Sequence, residues 1–175
     1  MATTAGTTTT SAPAPVVDLL AAAAERMELT EEGWVEKVVR PAHGRATAGA
    51  MATLLRLGVP WECVYDNVRL APEPDGVRYV PDLLVVRPEN PMQPEDDQDY
   101  AGVPDLIVEA VSPSSVARDE QEKRRRYAAR GVPHYWLLYP LPRRVVRVRW
   151  LRLEDGAYVE PWRDARLLAD AELPW

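Results

Sequence analysis

The sequence predicts a mixed α/β domain, and three observations carry that prediction. Residues 105–112, "DLIVEAVS", set apolar side chains on both parities of a short run, as in a strand covered on both faces at the centre of a sheet. The following "RDEQEKRRRYAAR" is free of breakers and ends at Gly131, the pattern of a helix closed by a glycine cap. After it, "PHYWLLY" and "RRVVRVRWLRL" read as strands, and "GAYVEPW" completes a hairpin.

The remaining elements follow in chain order. Residues 1–15, "MATTAGTTTTSAPAP", are small, polar and Pro-containing, so they are expected to be a disordered tail before a single domain over 16–175. "VVDLLAAAAERME", 16–28, has Leu and Ala at helical spacing and predicts a first helix. "WVEKVV", 34–39, reads as a short strand, and "GRATAGAMATLLRL", 44–57, as a second helix ending at Gly58. Residues 62–70 alternate like a strand, 76–86 follow as another, and 87–102 form a polar, acidic loop. Pro113 stops the 105–112 strand, and Ser114 or Ser115 can cap the helix beyond it.

At 175 residues the chain suits one hydrophobic core. Its 17 prolines, about twice the usual share of ~5%, imply many turns. The lone cysteine, Cys63, excludes an internal disulfide framework and a multi-cysteine zinc site, which fits a reducing, cytoplasmic setting. No apolar run approaches the ~18 residues needed to cross a bilayer, so no membrane association is expected. A net charge of −6 argues against tight non-specific nucleic-acid binding through bulk electrostatics. The distribution is uneven, however: 11 of the 21 basic residues lie between Arg118 and Arg152, against three acids. That stretch is either a solvated helix face and strand edge or a surface facing phosphates.

Glu109 is the residue that demands an explanation. Its run reads as a buried strand, and burying an unpaired carboxylate costs several kcal/mol on the order of magnitude found in proteins. Its partner is either an Arg or Lys in a structural ion pair, or a metal ion shared with a second carboxylate. Asp105 is four residues away along the strand, ~13 Å at ~3.3 Å per residue, too far to share one ion. Asp82, in "YVPDLLVV", raises the same question. If the two strands pair, both carboxylates project to one point that suits a hard cation such as Mg²⁺ or Mn²⁺. Lys123 stands out because the chain uses Arg for 19 of its 21 basic residues and Lys only at 37 and 123. It is either an ordinary helix-surface residue or an ammonium placed to stabilise developing negative charge. Asp119, four residues earlier, is placed to pair with it along the helix.

"YVPDLLVV", "GVPDLIVEAVSPSS", "RDEQEKRRRYAARGVPHYWLL" and "GAY", in that order from about Glu62 to Tyr158, resemble the Uma-two family of restriction endonucleases within the PD-(D/E)XK nuclease superfamily. The resemblance implies a restriction-endonuclease-like fold, a central mixed sheet flanked by helices. It matches Asp82 to the family's PD aspartate, Glu109 to its second acid and Lys123 to its lysine, while Val111 holds the place where the superfamily motif usually has one. The implied activity is Mg²⁺- or Mn²⁺-dependent hydrolysis of phosphodiesters in DNA or another nucleic acid. Asp82 and Glu109 would hold the metal, Lys123 would steady the attacking water or developing charge, and a homodimer is one expected assembly. Arg124, Arg125, Arg147 and Arg149 would meet the phosphate backbone. The chain departs from the family at two places. Glu36 and His43 are separated only by "KVVRPA", which suggests a shortened hairpin and leaves both outside the expected site, and Tyr139 stands where the family commonly has an aspartate. The competing class is a catalytically inactive binding or regulatory module on the same fold. Tyr127, Tyr135 and Trp136 are expected in the core.

Overall fold

The computed structural model describes residues 27–37, 40–95, 98–161 and 166–175. The expected tail and most of the expected first helix lie outside these residues. The end of that helix is corrected: Met27–Thr30 is a strand, β1, paired antiparallel with β2, Gly33–Glu36. "ERME" carries helical propensity, but Glu28 is drawn inward by Val80 and Lys123, far away in sequence, and tertiary context overrides propensity.

Helix α1 spans Pro41–Arg56. It begins three residues before the expected Gly44 because Pro41, with its fixed φ and missing N–H, suits a first turn. That extension places His43 in the opening turn. β3, Val64–Asp66, and β4, Leu83–Val85, are shorter than the alternation suggested. Residues 61–63 form a turn of 3₁₀ helix, and Pro81, which has no N–H to offer a ladder, precedes β4. β5, Leu106–Ala110, is followed by a wide π turn over Arg118–Glu122, helix α2 over Lys123–Arg130, and β6, His134–Pro140. Gly131 closes α2 at φ 87°, as expected of its cap position. β7, Val146–Glu154, and β8, Ala157–Val159, form the expected hairpin, and β9 is Arg166–Leu167.

The main sheet runs β3-β4-β5-β6-β7-β8, with β9 also paired to β7. β5 and β6 are parallel, joined by the crossover through α2, and the other neighbours are antiparallel. The expected central position of residues 105–112 is therefore observed, and all five residues of β5 are buried. Alternation divides the core. Leu83, Val85, Leu106, Val108 and Ala110 pack with Ala46, Ala50 and Leu54 of α1. Leu84, Ile107, Val111, Tyr135 and Leu137 pack on the other face with Tyr127 of α2 and Tyr79.

Candidate functional site

Glu109 belongs to the α2-facing side of β5, between Ile107 and Val111. In the β4–β5 ladder Leu83 faces Val108, so one further step sets Asp82 opposite Glu109, where facing Cβ atoms are about 5 Å apart. Asp82 Oδ2 accepts a hydrogen bond from the Ala110 N–H at 2.7 Å, which ties the aspartate to the residue after Glu109. The two acids expected to meet are thus side by side, 2% and 3% exposed.

Lys123 reaches them from the helix layer. Residues 115, 119, 123 and 127 are all buried, a stripe of every fourth residue. At 3.6 residues per turn such a stripe drifts around an α-helix, and the π turn before Lys123 absorbs part of that drift, which keeps the polar side chains on the sheet. Lys123 is accordingly no helix-surface residue. Its Nζ donates to Glu109 Oε1 and Glu28 Oε1, both at 2.8 Å, and lies 3.7 Å from Asp119 Oδ1. Tyr127 Oη donates to the same Glu109 oxygen at 2.8 Å. Tyr135, a core residue as expected, also donates to the Asp119 carbonyl.

Three further side chains complete the cluster without having been singled out for it. Lys37, just beyond β2, places Nζ 2.6 Å from both Asp82 Oδ1 and the Val80 carbonyl. Glu28, from β1, accepts the Val80 N–H as well as the Lys123 ammonium, so these two side chains satisfy the backbone that Pro81 removes from the ladder. His43 Nε2 lies 2.9 Å from Asp82 Oδ1, a correction to its expected place outside the site. Glu28 and His43 both line one cavity, and Glu36 is exposed at its rim. Two signals were present in the sequence: Lys37 is the second of only two lysines, and Pro41 marks the true start of the helix that carries His43.

The electrostatics follow from this packing. Burial pushes the Glu109 carboxyl up to about 7, with Lys123 opposing the rise and Asp82 adding to it. Burial would lower the Lys123 pKa, but Glu109, Glu28 and Asp119 together hold the ammonium charged, well above its ordinary value. Asp82 is also opposed by burial, yet the His43 hydrogen bond and the Lys37 charge keep it ionised and well below the usual carboxylate range. In return Asp82 raises the pKa of His43.

A cavity of about 140 Å³ opens beside these groups, lined by Glu28, Lys37, His43, Glu109 and Lys123 together with Ser112, Ser114, Ser115, Arg118 and Asp119, while Asp82 lines a second cavity of about 250 Å³ with His43, Asp66 and Leu83. Among the described residues no three acidic, His or Cys side chains are grouped as a complete ion cage. Two carboxylates on one face, both with hard oxygen donors, instead fit an ion of the Mg²⁺ type, which takes one or two carboxylates and keeps water or substrate oxygens in its other positions.

The four arginines expected to meet phosphates are not brought to this cavity. Arg124 donates to the Tyr158 carbonyl, Arg125 pairs with Glu31, and Arg149 pairs with Glu120 and Glu160. Arg147 is exposed on β7, facing Tyr139 across the ladder. Tyr139, in the place of the family's aspartate, donates to Glu120 at 2.8 Å and so ties β6 to the π turn.

A central mixed sheet with helices on both faces and an acid pair at the β4–β5 junction defines the class: the fold is restriction-endonuclease-like. It matches the crystal structure of "a putative nuclease" from Anabaena variabilis with a TM-score of 0.52 at 17% identity, covering 81% of this chain and 75% of that one. The chain belongs to the Uma2 family, described as "Putative restriction endonuclease", whose model matches residues 16–169. No curated protein matches it. Among the described residues no helix is long and apolar enough to cross a membrane.

Proposed function

We propose that the protein is an endonuclease that hydrolyses phosphodiester bonds of DNA with Mg²⁺ or Mn²⁺ held by Asp82 and Glu109. The observation that carries this reading is the meeting of those two carboxylates on one face of the sheet with the Lys123 ammonium 2.8 Å from Glu109. A bound divalent ion supplies Lewis-acid activation of a phosphate oxygen and of the attacking water. The chain's own groups prepare for it. The hydrogen bonds to Glu109 from Lys123 and Tyr127 both fall on Oε1, so that Oε2 would be the atom to hold an ion. Lys123 is too deeply embedded among Glu109, Glu28 and Asp119 to follow a water, so its part is to position Glu109 and to balance the acids around it. His43 and the Ala110 N–H orient Asp82 in the same way.

The second reading, a module without catalysis, is favoured by one observation: Lys37 already neutralises Asp82 at 2.6 Å, so the site is largely balanced without an ion. Plasmid nicking in Mn²⁺ separates the two. The wild type is expected to nick, and Asp82→Ala and Glu109→Ala to lose on the order of 10²-fold or more, as removal of one electrostatic contributor typically does. Equal nicking by wild type and variants removes these residues from the reaction. Absence of both cleavage and calorimetric ion binding in the wild type favours the module.

A further inference from the structure

Within the 140 Å³ cavity the two walls differ in chemistry. The sheet side presents acids, Glu28 and Glu109. The opposite side, the segment that leaves β5 and enters the helix, presents mostly donors, the hydroxyls of Ser112 and Ser114 and the guanidinium of Arg118, with Asp119 as its one acid. Of the three Lys and Arg side chains lining the cavity, Lys123 is taken up by Glu28 and Glu109, and Lys37 by Asp82 and the Val80 carbonyl. Arg118 differs. Its Nε is ion-paired with Glu28 Oε2 at 3.6 Å, yet it is one of two buried side-chain atoms among the described residues that make no hydrogen bond. A buried charged donor without a hydrogen bond is costly, so of the three cations the Arg118 guanidinium is the one with a hydrogen bond still to give. Beside it, Ser112 Oγ lies 3.1 Å from Ser114 Oγ and 3.0 Å from Ser115 Oγ, a row whose Ser114 end is exposed to the solvent side and whose hydroxyls can turn to donate.

We propose that Ser112, Ser114 and Arg118 form a phosphoryl-binding subsite, which receives a backbone phosphate of the substrate beside an ion held by Glu109, on the cavity wall, and by Asp82, which lines the adjoining cavity. This rests on the nuclease reading of the same site and specifies what enters it. The cavity is smaller than the roughly 300–1,000 Å³ of pockets that enclose a drug-sized molecule, which suits a phosphoryl group better than a whole nucleoside. The bases lie outside the cavity, and the protein takes hold of the substrate by its backbone. Because acids outnumber Lys and Arg around the cavity, four against three, the phosphoryl group binds well only after the ion.

Titration calorimetry of the whole protein tests this with Ca²⁺ first, then inorganic phosphate or a short DNA duplex. Wild type, Arg118→Gln and the Ser112→Ala/Ser114→Ala double variant are compared, with circular dichroism to confirm folding. Both variants are expected to bind Ca²⁺ within about threefold of wild type and to lose about 10- to 100-fold in phosphate and duplex affinity, the loss expected for charge-assisted hydrogen bonds. Weakening for phosphate alone assigns the subsite to free phosphate and overturns the substrate-backbone assignment. Equal affinities in wild type and variants, or no phosphoryl binding by the wild type with or without Ca²⁺, overturn the subsite. Failure of Ca²⁺ binding with retained, Arg118-dependent phosphate binding overturns the nuclease reading and the ion-first order while leaving the subsite.

Discussion

The two faces of strand β5 are built from the same five residues and obey different rules. Toward α1, Leu106, Val108 and Ala110 meet Ala46, Ala50 and Leu54 in a wholly apolar layer. Toward α2, the position between Ile107 and Val111 is Glu109, and around it gather Lys123, Glu28, Asp119 and the hydroxyl of Tyr127. The first layer stabilises by removing apolar surface from water. The second has to balance buried charge against desolvation, and a buried network of this kind is weak evidence for stability even when breaking it is costly. Both sides bury apolar surface, but only the α2 side also spends stability on a site.

The largest effect should come from removing the one cation common to three acids. Lys123→Met keeps the length of the side chain but leaves Glu28, Glu109 and Asp119 facing each other, at a cost of about 3–5 kcal/mol, the range for breaking a buried pair. Thermal unfolding measures it, and adding Glu28→Gln should restore part of the loss, since the surplus charge is the cause. On the other face Leu106→Ala should cost about 2–5 kcal/mol through a cavity. At a temperature where that variant is folded, its metal affinity should match wild type. A parallel loss of ion binding would mean that the two faces are not separable.

How far this division was legible in the sequence follows from the range of the interactions. Apolar residues on both parities of 105–112 made the central strand readable, and Gly131 marked the end of α2 by a local conformational rule. The acid pair was readable because a charge within an apolar run is conspicuous at once, and the scarcity of lysine pointed to Lys123. Glu28 had no such signal. "ERME" reads as helix, and its partners, Val80 and Lys123, are 52 and 95 residues away. His43 was set aside by counting from Glu36, and its contact with Asp82, 39 residues later, left no local trace. Lys37 shared the compositional signal of Lys123 but lacked a helix to place it, and its role depends on a contact with residues more than 40 positions later.

Glu109→Gln sharpens the contrast through pH. The folded protein holds the Glu109 proton up to about 7 against an ordinary 4.5, chiefly because of burial, so ionised Glu109 opposes folding. That cost is complete above pH 7, shrinks as pH falls toward 4.5 and is absent below it. Glu109→Gln should therefore raise stability by on the order of 2 kcal/mol at pH 8, with no gain at pH 4, while removing metal binding. A variant equally or less stable at pH 8 would show that Lys123 fully compensates the charge.

The smallest effects are expected at the arginines, where exposure decides the outcome. Arg125 is 62% exposed and shares Glu31 with Arg126, so removing it leaves Glu31 with a partner, and solvent screens what is lost. Arg125→Ala should leave the melting temperature unchanged. Its charge is also answered locally, so it has little left for a phosphate. Arg147 is exposed on β7 within the basic stretch, and an exposed guanidinium there can exchange counterions with a nucleic acid. DNA affinity measured against salt should therefore distinguish them: Arg147→Ala reduces the salt slope by about 1 and Arg125→Ala by less, because only a phosphate contact releases a counterion from the DNA. Equal slopes for wild type and Arg147→Ala would remove β7 from the DNA-facing surface and leave the grip on the backbone to the residues around Glu109.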